Sequence, residues 1–387
     1  MKTGWTVLAT ALLLAACTVQ KPPPSGLHLS RTAFDQLPGW ANADAQGSLA
    51  SFQRGCAILA EKPDAAPMGG AGYAGTVSDW RGVCAQAEGN AGGDAKGFFA
   101  RNFTAFAVSG DATFTGYYEP LIHGSRQKHG AFQTPVYGLP ADLVRADLAL
   151  FDPKLKGEHI SGRVSGHALV PYADREEIET GGVNTAPVLF YTDDAIAFFF
   201  LQIQGSGRVM FEGGGSERIG YAGENGRPYT AIGRILIADG SLTREDVSLQ
   251  SIRAWLAAHP ERSGAVMQTD KSYVFFQEKE LGDAAVGPTG TLGANLTPLA
   301  SLAVDPRFHA LGVPVFVAAS GPDPVHALMV AQDTGGAIRG ATRGDIFFGF
   351  GAPAEARAGA MKAQGALYLF LPNGLAAKLG NSAEFPP

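Results

Sequence analysis

Hydrophobic positions fall into blocks whose period changes along the chain. The first block, residues 5–16, is short and unbroken. Helical spacing begins at Leu49, Phe52, Cys56 and Leu59, which share one helix face, with Pro63 beyond its end. A Gly-rich loop, 69–75, follows. Phe98, Phe99, Phe103 and Phe106 predict a second helix within 94–108, its Phe face turned to a core. The period then drops to two. Residues 112–120 predict a strand closed by Pro120. Short strands and turns continue to Glu217: 134–137, 186–192 and the strongest, 196–204, which runs into Gly205-Ser206-Gly207. Gly213-Gly214-Gly215 marks a loop tip. A β-barrel or β-sandwich fits this stretch. Two helices come next. One spans 227–238 with Gly240 at its stop; the other spans 249–258, capped by Ser248 and ended by Pro260. Strands return at 273–276, 301–304, 313–318, 326–331, 346–350 and 366–371. Six short strands with Gly and Pro between them predict a small closed barrel.

Composition supports that picture. Only 17% of the 387 residues are charged and 51 are Gly, which favours short strands and loops over long charged helices. A net charge of −6 without a Lys/Arg block argues against nucleic acid as a partner. The first apolar run is too short to span a bilayer. It ends Leu14-Ala15-Ala16-Cys17, similar to the lipobox of bacterial lipoproteins. On that likeness residues 1–16 are a leader, and Cys17 carries the acyl chains that anchor the protein to a membrane. Thr18, where Asp is absent, points to the outer membrane, and 17–27 with Pro22-Pro23-Pro24 form a stiff tether. An ordinary signal peptide with an incidental cysteine is the alternative. Export permits a disulfide between Cys56 and Cys84, worth roughly 3 kcal/mol by loop entropy. Two buried thiols fit the sequence equally well.

Candidate chemistry is narrowed by what is missing. There is no HExxH, no Cys/His cluster with zinc spacing, no P-loop lysine after Gly287-Pro288-Thr289-Gly290 and no GxSxG elbow. Carboxylates beside aromatics remain, a pairing suited to sugars. Cleaving a glycosidic bond needs an acid to protonate the leaving oxygen. Asp333 is the candidate. It follows an apolar run and precedes Gly335-Gly336, glycines that let backbone approach a ligand and allow positive φ. Burial in an apolar barrel, or a like charge such as Asp345, would let a carboxyl there keep its proton. Tyr117 and Tyr118 offer ring faces and hydroxyls. Gln204, Ser206 and Gly207 offer amide, hydroxyl and open backbone. Each has a plain alternative: a local turn for Asp333, strand packing for the tyrosines, a hairpin for 204–207.

Six motifs in order carry a resemblance: Thr115-Gly116-Tyr117-Tyr118-Glu119-Pro120, Gln202-Ile203-Gln204-Gly205-Ser206-Gly207, Gly220-Tyr221-Ala222-Gly223-Glu224-Asn225-Gly226, Ser272-Tyr273-Val274-Phe275-Phe276, Val304-Asp305-Pro306 and Asp333-Thr334-Gly335-Gly336-Ala337-Ile338. Together, over 98–372, they resemble the membrane-bound lytic murein transglycosylase A family. Asp305, Asp333 and Asp345 look like the three aspartates of the 3D domain. The resemblance implies a mainly β fold with helices: a double-psi β-barrel catalytic domain, 28–120 with 265–387, and an inserted second β-barrel, 121–264, with the substrate groove between them. It implies a lyase of the lytic exotransglycosylase type acting on peptidoglycan glycan strands. Asp333 would serve first as acid and then as base, closing a 1,6-anhydro ring on N-acetylmuramic acid. Asp345 and Asp305 become supports. Thr115, Gly116, Tyr117, Tyr118, Gln204, Gly205, Ser206, Gly207, Gly335 and Gly336 become substrate-binding. No metal or organic cofactor is implied, and the location is the periplasmic side of the outer membrane. Partner enzymes of cell-wall synthesis or hydrolysis, and exo against endo cleavage, stay open. Asp270-Lys271 departs from the Asn-Pro expected before Ser272. Rival readings are a muramidase using Asp333, Asp345 and water, a non-catalytic wall-binding lipoprotein, and a structural tether.

Overall fold

The structure, a computed structural model, describes residues 26–90, 93–155, 159–181, 183–283 and 285–386. The leader, Cys17 and most of the tether lie outside them. Strand β1 (Leu27–Thr32) leads to α1 (Gln46–Ala60), α2 (Ser78–Glu88) and α3 (Ala95–Asn102). Helix α1 buries Leu49, Phe52, Cys56 and Leu59. A disulfide joins Cys56 to Cys84 on α2, with Cα atoms 5.4 Å apart. Helix α3, capped by Asp94, is shorter than the predicted 94–108, because from Phe103 the chain becomes β2 (Phe103–Val108). β2 is a nearly wholly buried inner strand, and an apolar run covered on both faces has the same pattern as a helix stripe.

β3 (Ala112–Glu119) ends at Pro120, and the chain crosses into a second sheet. There follow β4 (Leu121–Ser125), β5 (Thr134–Tyr137), β6 (Val144–Asp147), β7 (His159–Ser165), β8 (Ala168–Pro171), α4 (Arg175–Glu179) and β9 (Val188–Thr192). The strongest predicted strand, 196–204, is instead helix α5 (Ala195–Gln204). Asp194 caps it by accepting from the Ala197 N–H at 2.8 Å, and Gly205 ends it in the left-handed conformation at φ 78°. Its unbroken apolar run serves two cores. Phe198 and Leu201 pack with the sheet, while Phe199 and Phe200 pack with later helices. Those follow β10 (Ser206–Phe211) and β11 (Ser216–Glu224): α6 (Ile232–Ala238), α7 (Leu249–Ala258) and α8 (Pro260–Gln268). α6 starts five residues after the predicted 227. Pro260 ends α7 and also opens α8, since a first-turn proline loses no helix bond.

After β12 (Val274–Lys279) come β13 (Ser301–Val304), β14 (Pro314–Ala319), β15 (Val325–Thr334), β16 (Arg343–Phe350), α9 (Gly351–Ala360), β17 (Lys362–Pro372), α10 (Asn373–Leu379) and β18 (Ser382–Phe385). The closed barrel runs β14-β15-β13-β16-β3-β17 and back to β14. Its sixth strand is therefore β3, not 273–276. The latter segment contributes to β12, an edge of the other sheet, β12-β11-β10-β4-β9-β5. A bridge between Gly138 and Phe276 draws that sheet's ends together into a second small barrel. β6, β7 and β8 form a separate three-stranded sheet.

A buried ion cluster holds the crossing point. Glu119 is fully buried; its oxygens accept from Arg208 Nε at 2.7 Å and Arg218 Nε at 2.6 Å. Glu119 ends β3 of the first barrel, and the arginines stand on β10 and β11 of the second. The Arg208 guanidinium also lies over the Phe350 ring, and its backbone N–H bonds Pro120 O at 2.7 Å. Charges taken out of water must be paired and hydrogen-bonded, so this cluster fixes the angle between the barrels.

Candidate active site

Strand register places the acids. Asp333 on β15 and Asp345 on β16 both sit directly opposite Ala303 on β13, and Asp345 is in turn opposite Thr115 on β3. The row Asp333, Ala303, Asp345, Thr115 crosses four neighbouring strands at one level. Two strand spacings separate the acid backbones, about 10 Å, and the methyl between them leaves room for the side chains to converge. Phe114 and Ile346, one residue along, turn into the core. Thr115 and Asp345, and two residues on Tyr117 and Phe347, therefore share the opposite face.

Asp333 is held on both oxygens. Oδ2 accepts from the Tyr117 hydroxyl at 3.1 Å. Oδ1 accepts from the Thr291 N–H at 3.0 Å and the Thr291 hydroxyl at 2.9 Å. Thr291 reaches it because Gly290 lies against β15: a Cβ there would stand 2.6 Å from Gln332 O. Burial pushes the Tyr117 phenol well above its ordinary value, and Asp333 and Asp345 push it further, so it remains a proton donor. Asp345 is a different carboxyl. It accepts from the Thr115 hydroxyl, which itself accepts from Arg343 Nη2 at 2.9 Å. Burial raises its pKa to about 6, against the pull of Thr115 and Arg343 and with a push from Asp333. Asp305 differs again. Burial alone would raise it, but the Arg307 guanidinium and the Gly340 and Arg307 N–H groups hold it down at about 2. Its Oδ2 accepts from Gly340 N–H at 2.7 Å, which ties down the loop after Asp333.

A cleft of about 410 Å³ opens over Asp333, between the two barrels. The first barrel supplies Tyr117, Tyr118, Asp333, Thr334 and Phe347; the second supplies Gln204, Ser206, Arg218, Tyr221 and Lys279. Among the described residues, Asp333 is the one carboxyl on its wall. Aromatic faces, hydroxyls, an amide and cations around a single acid suit a polyhydroxylated ligand. Gly205 also lines the cleft. The other candidates stand behind it. Thr115 holds Asp345, Gly116 lies under Phe348 and α9, and Gly207 lies against Leu201 and Pro120 O. Gly335 and Gly336 follow Asp333 without positive φ; that conformation falls to Gly340 at φ 109°. Asp333 itself is the last residue but one of β15 rather than part of a glycine bend. Thr291, Lys279, Arg218, Tyr221 and Phe347 escape sequence reasoning. The Gly287-Pro288-Thr289-Gly290 run was the available signal for Thr291. Among the described residues, no group of three or more His, Cys, Asp or Glu is placed to hold a metal ion.

Known proteins share the sequence pattern and the fold. Residues 113–277 match the MltA specific insert domain, and residues 300–371 match the 3D domain. The membrane-bound lytic murein transglycosylase A of Escherichia coli K12 is 31% identical over 288 residues, covering 70% of this chain and 69% of the relative. The crystal structure of MltA from Neisseria gonorrhoeae superposes with a TM-score of 0.78 at 34% identity, over 91% of this chain and 96% of that one. The membrane-bound lytic murein transglycosylase of Agrobacterium tumefaciens gives 0.78 at 29% identity, over 90% and 99%. With its ordered motifs, two barrels and cleft aspartate, the chain belongs to the membrane-bound lytic murein transglycosylase A family.

Proposed function

We propose that this protein cleaves the β-1,4 bond between N-acetylmuramic acid and N-acetylglucosamine in peptidoglycan, with Asp333 acting twice. As an acid it gives its proton to the bridging oxygen, and the bond from that oxygen to muramic C1 breaks. As a carboxylate it then takes the proton of the C6 hydroxyl on the same sugar while that oxygen bonds to C1. The ring closes as the 1,6-anhydro form, no water is consumed, and Asp333 ends protonated for the next cycle. The observation that carries this reading is that Asp333 is, among the described residues, the single carboxyl on the cleft wall, fixed by Tyr117 and Thr291.

Tyr117, Tyr118, Gln204, Gly205 and Ser206 are the contacts for the sugars. Thr115, Gly116 and Gly207 act from behind, as do Asp345 and Asp305; Gly335 and Gly336 shape the turn beyond the acid. The chain divides into 28–120 with 265–387 as the catalytic part and 121–264 as the insert, save that β12 (Val274–Lys279), expected in the catalytic part, pairs with β11 and belongs to the insert's sheet. Membrane association runs through Cys17, acylated and holding the enzyme to the outer membrane on its periplasmic side.

Digestion of purified sacculi by wild type and Asp333→Asn, read by mass spectrometry, is the test. Wild type should release muropeptides one water lighter than hydrolytic products, and the variant should bind strands without releasing them. Anhydro products from Asp333→Asn would sink the assignment. Products carrying the extra water would favour the muramidase. Binding without turnover in wild type would favour the wall-binding protein.

A further inference from the structure

Thr291 holds the acid, and Thr291 must itself be held. Among the described residues of the connection from β12 to β13, 280–300, none belongs to a strand. The turn closes on itself: Gly287 N–H bonds Leu296 O at 2.6 Å, Leu296 N–H bonds Pro288 O at 2.9 Å and Gly290 N–H bonds Ala294 O at 2.9 Å. Its front, Pro288 to Thr291, lines the cleft. A support that leaves the cleft open has to stand behind it.

Helix α1 stands there, on a face distinct from its apolar one. Leu49, Phe52, Cys56 and Leu59 meet the core. Ser51, Arg54, Gly55 and Ile58, at i, i+3, i+4 and i+7, meet the turn and β15. Gly55 lets the turn come close: a Cβ there would stand 3.3 Å from Leu292 Cδ2. Arg54 forks across the end of the turn, giving Nε to Asn295 O at 3.2 Å and Nη2 to the Thr297 hydroxyl. Ser51 reaches the acid's own strand through Gln332, which is fully buried. Gln332 Oε1 accepts from the Ser51 hydroxyl at 2.5 Å and the Ser301 hydroxyl at 2.6 Å, and its Nε2 donates to Ser51 O at 3.0 Å. Gln332 O in turn accepts the Leu292 N–H at 2.9 Å. Gln332 precedes Asp333 and Leu292 follows Thr291, so the acid and its donor are tied one residue behind the bond they share. Both ties end on α1.

We propose that α1, which lies outside both matched domains, belongs to the catalytic apparatus, with Arg54 as a positioning residue that sets Thr291 and through it Asp333. The inference rests on the reading of Asp333 as the acid. Arg54 is not on the cleft wall, so it serves the orientation of the acid and not the affinity for the strand. A hydrogen bond weakens steeply with length and angle, and small misplacements at a reacting group are costly in rate.

The test measures kcat and KM of the full chain on isolated glycan strands, well below the Tm of each variant. Arg54→Ala should lower kcat about tenfold and leave KM unchanged. A double-mutant cycle separates positioning from general support of the fold. Thr291→Val alone should cost about 30-fold, and adding Arg54→Ala should keep the loss below about 100-fold, since both act through one bond. Independent effects would multiply to about 300-fold. Thr297→Val, a milder change that removes one of the two acceptors, should lower kcat about threefold and takes the place of Arg54→Ala in the cycle if that variant does not fold. Unchanged kcat, a raised KM in place of a lowered kcat, or losses that multiply in full overturns the proposal. Asp333→Asn is run beside them. If it keeps turnover, the reading of Asp333 falls and this inference with it; if it is inactive while Arg54→Ala keeps full kcat, the positioning role alone falls.

Discussion

Replacing Asp345 by Asn should stabilise the protein at neutral pH and do little at pH 4. The reasoning starts from its pKa, about 6 in the folded chain against an ordinary 3.8. Burial is the main cause, so the fold prefers the neutral carboxyl. Below pH 3.8 the group is protonated in both folded and unfolded chains, and its full contribution to stability is present. Between 3.8 and 6 the unfolded chain loses the proton first, and stability falls. Above 6 both are ionised, and the folded chain carries the whole penalty. At about 1.36 kcal/mol per pH unit the penalty is on the order of 3 kcal/mol. Asn removes the charge and keeps an oxygen for the Thr115 hydroxyl. The stronger bond from Thr115 to the ionised carboxylate is already contained in the value of about 6, against which burial wins. The net gain at pH 7.5 is then about 3 kcal/mol, a rise of about 4 °C in Tm for a chain of this size. Calorimetry on wild type and variant at pH 4 and 7.5 reads it directly. Equal Tm changes at the two pH values, or a loss confined to pH 7.5, would refute the argument.

Thr291→Val keeps the backbone donor to Asp333 but deletes the hydroxyl at 2.9 Å; a hydrogen bond to a charged group is worth about 2 kcal/mol, so kcat on isolated strands should drop about 30-fold with Tm nearly unchanged. Cys56→Ser with Cys84→Ser should cost about 3.5 kcal/mol by loop entropy, visible as a lower urea midpoint that a reductant reproduces in wild type. Glu119→Ala leaves the buried Arg208 and Arg218 without their shared carboxylate and should cost about 3–5 kcal/mol, with Glu119→Gln intermediate in the same urea titration.

Much of the barrel was legible in the sequence, because β14, β15 and β16 are apolar runs between Gly and Pro. The failures have one cause. β2 and α5 are buried on more than one side, and a run without a polar face carries no period to tell strand from helix. For α5 the deciding signals were its ends, Asp194 and Gly205. In the active site, order was legible and adjacency was not. Motifs around Tyr117, Gln204 and Asp333 could be aligned along the chain. That Asp345 and Asp333 share Ala303 as a neighbour is a fact of strand register, and no local feature of Ala303 announces it. Thr291 lies 42 residues before Asp333 and is brought to it by a loop with no period at all.

The environments of the three aspartates bear on the proposal that one of them serves twice. Asp305 is fully buried and bound by Arg307 and Gly340, so it is a permanent anion that anchors a loop. Asp345 lies behind the cleft wall, bonded to Thr115, and at about 6 its proton comes and goes near neutral pH. A two-carboxylate hydrolase needs its second acid on the sugar, at about 5 Å as nucleophile or about 6.5–9.5 Å with a water between. Asp345 has no place on the wall from which to hold that water. What it can do is set the field at Asp333 from behind. In the proposed mechanism a nucleophile from the sugar itself, the C6 hydroxyl, removes the need for a second carboxyl, and among the described residues the cleft offers none. The same logic explains why Asp333 is bound by neutral donors, Tyr117 and Thr291, and by no cation among the described residues. Neutral donors fix the position of the Asp333 carboxyl in the cleft, whereas Arg307 ties Asp305 into an ion pair that anchors a loop.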